Sequence, residues 1–162
     1  MVRKINGISV NYIDEGEGEI VLLLHGWGAN ITLYRSVIDS LKKSRRVIAL
    51  DMPGFGKTPE PPAPWCVDDY ADFVLEFIAS FRIERLSVVV HSFGGRVFFK
   101  INARENLPFA IDRAVLIDSA GILPKKTLRQ KVSLRCYKFG RAFMSTKVMH
   151  FLYPDAVEDM RR

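Results

Sequence analysis

Histidine is scarce in this chain: three among 162 residues, His25, His91 and His150. Cysteine is scarcer still. Cys66 and Cys136 are too few for a disulfide framework and lack the paired spacing of a metal site. No metal or other cofactor is therefore expected, and a reducing cytoplasm is the expected compartment. No apolar run reaches the roughly 18 residues of a membrane span. The first residues, Met1-Val2-Arg3-Lys4, are charged and strand-like, unlike a secretory leader. Asn30-Ile31-Thr32 matches a glycosylation sequon, which without secretion reads as chance. Internal repeats and low-complexity segments are missing too. What remains is an ordinary globular composition, 48% hydrophobic and 26% charged, long enough for one domain with a sizeable core.

The net charge of +6 is uneven. Residues 1–121 carry 14 Lys/Arg against 15 Asp/Glu, and residues 122–162 carry 10 against 3. A basic tail of this kind can meet nucleic acid or an anionic membrane. Here apolar residues interrupt the charges at helical intervals, so the tail reads as a solvated helical face and no nucleic-acid partner is expected.

Strand and helix signals alternate along the first 121 residues. Met1–Ile5 and Ile8–Tyr12 flank Asn6-Gly7, a strong hairpin signal. Ile20–Leu24, Arg46–Leu50, Leu86–Val90 and Arg113–Ile117 are short apolar runs typical of strands buried on both faces. Between them, Ile31–Lys43, Val67–Phe81 and a segment from Phe93 to about Asn106 have helical spacing. The pattern predicts an α/β fold: a mainly parallel sheet of six strands, with the hairpin at one edge and helices on both faces. In such sheets function gathers at the carboxyl ends of the strands. His25, Asp51, Ser92 and Asp118 each fall at one of those ends. Residues 122–162 read as a separate, wholly helical segment.

Ser92 carries the chemistry. It stands between a strand and a helix, on the kind of sharp turn that presents a serine hydroxyl as a nucleophile. Gly94 and Gly95 allow the helix to start close to the strand. Val90, where a glycine is usual in such turns, is expected to crowd it. An acyl-transfer serine also needs donors for the oxyanion that forms. The Phe93 amide, at the helix start, is one candidate, and the Trp27 amide, in the loop His25-Gly26-Trp27-Gly28, is the other. Trp27, Phe55 and Phe93, with Phe143 and Met149 of the helical tail, suggest an apolar acyl pocket; core packing is the alternative for each. Gly54-Phe55-Gly56-Lys57-Thr58 looks like the end of a phosphate-binding loop, but Asp51 occupies the place of that pattern's first glycine.

With His25-Gly26-Trp27-Gly28, Asp51-Met52-Pro53-Gly54-Phe55-Gly56 and His91-Ser92-Phe93-Gly94-Gly95 in this order, the chain resembles the α/β-hydrolase superfamily over residues 2–121. The resemblance implies Ser92 as nucleophile, Trp27 and Phe93 as oxyanion hole, and no cofactor. Relatives that open epoxides or remove halides use an aspartate at this position, so the esterase, lipase-like, carbon–carbon hydrolase, amidase and perhydrolase branches stay open. Residues 122–162 look like the start of the helical cap that many members carry. The family's acid and histidine usually follow the seventh and eighth strands, which this chain lacks. Asp118, closing the sixth strand, is where some relatives place the acid. His25, His91 and His150 are poor substitutes for the base.

Two readings follow. One is a hydrolase of carboxylic esters or related acyl substrates. The other is a catalytically incompetent fragment or pseudo-enzyme that folds and self-associates, through the open edge at Ala114–Ile117 or through the cap helices.

Overall fold

The computed structural model describes residues 1–121, together with Val132, Ser133 and Arg135. Phe143, Met149, His150 and Cys136, and with them the expected cap, lie outside the described residues. Met1–Ile122 form one compact unit.

The hairpin is formed by β1 (Val2–Ile5) and β2 (Ile8–Glu15), joined at Asn6-Gly7 with φ of 47° and 85°. Both angles are positive, as a two-residue turn must have if it is to match the twist of its strands. Then follow β3 (Ile20–Leu24), a short 3₁₀ turn (Ile31–Tyr34), α1 (Arg35–Leu41), β4 (Arg46–Leu50), α2 (Val67–Ala79), β5 (Arg85–His91), α3 (Phe93–Asn102) and β6 (Ala110–Ile117). The sheet order is β1-β2-β4-β3-β5-β6. β3 to β6 run parallel, and the hairpin is antiparallel to its neighbours.

From β3 the chain moves outward to β4, then returns to the other side of β3 as β5. The loops leaving β3 and β5 therefore part around a crevice at the carboxyl edge. This reversal of strand order brings the His25–Gly28 loop beside Ser92.

The alternation of side chains along β3 explains its unbroken apolar run. Leu22 and Leu24 face a core made with Tyr70, Phe73, Phe77, Phe93 and Val97 of α2 and α3. Val21 and Leu23 face a second core with Ile31, Tyr34 and Ile38. A strand covered on both faces has no use for polar residues. Near the hairpin, Tyr12, Phe77 and Phe81 meet edge to face, with centroids 5.0–5.7 Å apart, and Arg3 lies 3.9 Å over the Phe81 ring.

Three sequence expectations need correction. The helix expected over 31–43 divides: the Asn30 side chain accepts from Thr32 N–H and favours a tight 3₁₀ turn, and α1 begins only at Arg35. The helix after Ser92 ends at Asn102 rather than near Asn106. Arg104 N–H bonds back to Ile101 C=O, Asn106 takes φ 58°, and Pro108 forbids continuation. Finally, the sixth strand is longer than expected and is not buried. It begins at Ala110, and Val115, Leu116 and Ile117 are exposed, Val115 by 53%. Among the described residues β6 pairs with β5 alone, so one of its edges is open.

Candidate active site

Ser92 holds φ 46° and ψ −110°, a region that a residue with a Cβ normally avoids at a cost of order 1–3 kcal/mol. Its own backbone groups are fastened on both sides. Ser92 N–H donates to Ile117 C=O at 3.1 Å, and Ser92 C=O accepts from Gly95 N–H at 3.0 Å and Ala120 N–H at 2.9 Å. The loop after β6 thus grips the turn from outside, and the first turn of α3 grips it from within.

Close approach does the rest. A Cβ at Gly94 would stand 2.8 Å from His25 C=O and closer still to Leu24 C=O. A Cβ at Gly26 would stand 3.2 Å from Ser92 Cβ and 2.8 Å from His91 Nδ1. Only backbone without a side chain lets α3 and the β3 loop meet this closely. The Val90 side chain is fully buried in the core shared with Phe93 and Val97.

His25 is 1% exposed, and both ring nitrogens are engaged. Nδ1–H donates to Gly26 C=O at 2.8 Å, and Nε2 accepts from Met52 N–H at 2.9 Å. This fixes one neutral tautomer, and burial holds its pKa below the ordinary histidine value despite the nearby Asp51 charge. A histidine so occupied cannot take a proton from serine. It instead ties the loop after β3 to the loop after β4.

Asp51, 2% exposed, is equally committed. Its carboxylate accepts from Ile31 N–H at 2.8 Å, Asn11 Nδ2–H at 2.7 Å and Lys57 N–H at 2.9 Å. It is a structural tether for the loop that the phosphate-binding comparison concerned. Thr58 of that loop is buried, and its hydroxyl accepts from Asn11 N–H.

Over the crevice stands a ring of aromatics. Trp27, 69% exposed, meets Phe93 and Phe55 edge to face with centroids 5.3 and 5.0 Å apart. Phe93 also meets Tyr70 at 5.2 Å, and Trp65 meets Tyr70 at 5.2 Å. Together with Ser92 and Arg96, Trp27, Trp65, Tyr70 and Phe93 line a cavity of about 420 Å³. A family model described as alpha/beta hydrolase fold matches residues 19–143, most of the chain and all of this site.

The chain belongs to the alpha/beta hydrolase fold family. It is 37% identical over 120 residues to a 2-hydroxymuconate semialdehyde hydrolase of Pseudomonas sp. (strain CF600), a match covering 72% of this chain and 42% of that protein. It is 31% identical over 119 residues to a soluble epoxide hydrolase of Corynebacterium sp. (strain C12), covering 74% and 39%. Among solved structures, the meta-cleavage product hydrolase CumD of Pseudomonas fluorescens superposes with a TM-score of 0.69 at 32% identity, over 79% of this chain and 48% of that one. The chain thus spans less than half the length of these relatives.

Within this alpha/beta hydrolase unit, Ser92, Phe93 and Trp27 come together at one crevice. Among the described residues, neither the Trp27 nor the Phe93 N–H has a hydrogen-bond acceptor. Phe55 packs behind Trp27 and Phe93 and is not among the residues lining the cavity. Asp118 follows β6 with φ 42°, exposed, and forms no hydrogen bond or ion pair among the described residues. Trp65, Tyr70 and Arg96 were not singled out from the sequence. Tyr70 lies on the apolar face of α2 and reads as core, and Trp65 sits in a proline-rich loop; spacing alone does not show that either borders the crevice.

His25 makes a pH prediction. Its folded form binds a proton less readily than the unfolded chain does, so its contribution is full above about pH 6.5 and is lost as pH falls through the lowered folded value. In urea unfolding, wild-type stability should decline below about pH 6.5 more steeply than that of His25→Gln. Parallel pH profiles for the two would refute the buried neutral assignment.

Proposed function

We propose that Ser92 is the nucleophile of a hydrolase acting on a carbonyl carbon. The bond broken is an ester, or a carbon–carbon bond beside a ketone. The observation that carries this reading is the strained serine held between β5 and α3 at the mouth of an apolar cavity. Ser92 Oγ attacks the carbonyl carbon and gives its proton to a general base. The oxyanion draws on the Phe93 and Trp27 N–H groups, each donor worth roughly a hundredfold or more in rate. The departing group takes the proton, and water then releases the acid from the acyl-serine. The match to a semialdehyde hydrolase supports the carbon–carbon branch beside the ester branch. The aromatic lining suits a small substrate with a flat or apolar body. Asp118 is a candidate acid by its place at the end of β6, and the exposed, free Cys66 thiol suits a reducing cytoplasm.

A second reading has its own support. His25 is fully engaged, and Ser92 Oγ hydrogen-bonds no histidine among the described residues. On that reading the chain folds but does not turn over. An activated serine reacts with a fluorophosphonate, whereas an unactivated one does not. Intact mass spectrometry of the full chain should show one adduct, lost in Ser92→Ala. A folded chain that stays unlabelled would favour the second reading.

The open edge of β6, with Val115, Leu116 and Ile117 exposed, also supports self-association of this chain. Light scattering should show mass rising above the monomer with concentration, and Val115→Lys should lower it. A monodisperse monomer at high concentration would contradict the pairing.

A further inference from the structure

The cavity at Ser92 is walled by Trp27, Trp65, Tyr70 and Phe93, yet one charged residue also lines it, Arg96. Its position follows from a register between two helices. Arg96 and Lys100 stand four residues apart on α3 and share one face, and Arg104 follows just after the helix ends. Lys100 pairs with Asp68 of α2 at 3.0 Å, and Arg104 pairs with Asp72 at 2.6 Å. Continued one turn back, the same ladder would set Arg96 opposite position 64. That position is Pro64, just ahead of the start of α2 at Val67, and it carries no carboxylate. Among the described residues Arg96 has no acidic partner; it is exposed and lines the cavity. The carbon stem of Arg96 lies beside Gly121, where an added Cβ would stand 3.5 Å from Arg96 Cγ.

We infer that Arg96 is the anion anchor of this cavity, and that the substrate is a small acyl compound carrying a carboxylate on an apolar or aromatic body. This rests on the reading of Ser92 as nucleophile for its meaning in turnover, though not for binding. A guanidinium meets a carboxylate in a two-pronged, charge-assisted contact. The aromatic walls hold the body and lower the competition from water. Arg96 lies about one helical turn from Ser92 along α3. The anchored carboxylate and the attacked carbonyl would then sit at opposite ends of one short molecule. Arg96 binds and orients; it takes no part in bond making.

Trp27 and Trp65 are the two tryptophans of the chain and both line the cavity, so their fluorescence reads occupancy directly. Titration of the full chain with phenylacetate and with phenylacetamide compares two ligands of nearly equal shape that differ in charge. Wild type should bind the carboxylate roughly tenfold or more tightly than the amide, with the gap shrinking as salt rises. Arg96→Gln should abolish the gap by weakening the carboxylate alone, Arg96→Lys should keep part of it, and Ser92→Ala should keep all of it. Equal affinities in wild type, a gap that survives in Arg96→Gln, or no saturable binding of the carboxylate would each overturn the inference. Failure of the nucleophile reading would appear elsewhere, as an unlabelled Ser92 in a chain that still prefers the carboxylate.

Discussion

Everything at the active edge depends on keeping Ser92 in a backbone conformation it would not choose. An isolated strand-to-helix junction would relax a serine out of positive φ, because the strain is of order 1–3 kcal/mol and one or two hydrogen bonds of about 1 kcal/mol each barely offset it. Here three backbone hydrogen bonds converge on one residue, from Ile117, Gly95 and Ala120. Two glycines remove the side chains that would push the neighbouring elements apart. The consequence is geometric. Ser92 and Phe93, the first residue of α3, both line the cavity.

The grip on Ser92 comes in part from the least buried element of the sheet. β6 exposes Val115, Leu116 and Ile117, yet its last carbonyl and the loop after it hold both sides of the Ser92 backbone. The edge strand and the site are therefore mechanically one unit. Among the described residues β6 pairs with β5 alone, and Ile117 joins this strand to the turn. The opposite wall is fixed differently, by buried polar groups. His25 links the loops after β3 and β4 through Gly26 and Met52, and Asp51 links β4 to Asn11, Ile31 and Lys57. Each of these buried groups is satisfied by N–H or C=O partners, as burial requires, and so His25 and Asp51 are spent on architecture.

Much of this was legible in the sequence, and the limits have physical reasons. The Asn6-Gly7 hairpin signal and the apolar runs identify six strands, and the strand ends bring His25, Asp51, Ser92 and Asp118 to one edge. The family model and the relatives agree with that fold. Burial of the sixth strand was misread, because an apolar run looks the same whether or not a neighbour pairs with it. Helix ends were misread where side chains intervene, as Asn30 does at the 3₁₀ turn. That Tyr70 and Arg96 border the cavity is not legible in the sequence. It depends on which faces of α2 and α3 meet, a matter of tertiary register. The Asp68–Lys100 and Asp72–Arg104 pairs record that register, but no local pattern announces it.

The most direct measurement is a crystal structure of the chain with a phosphonyl group bound to Ser92 Oγ. The tetrahedral phosphorus stands in for the carbon under attack, and its free oxygen for the oxyanion. The account predicts that oxygen within about 2.7–3.1 Å of both the Phe93 and the Trp27 amide nitrogens, with Ser92 still at positive φ. A phosphonyl oxygen turned to solvent and away from both amides would contradict it.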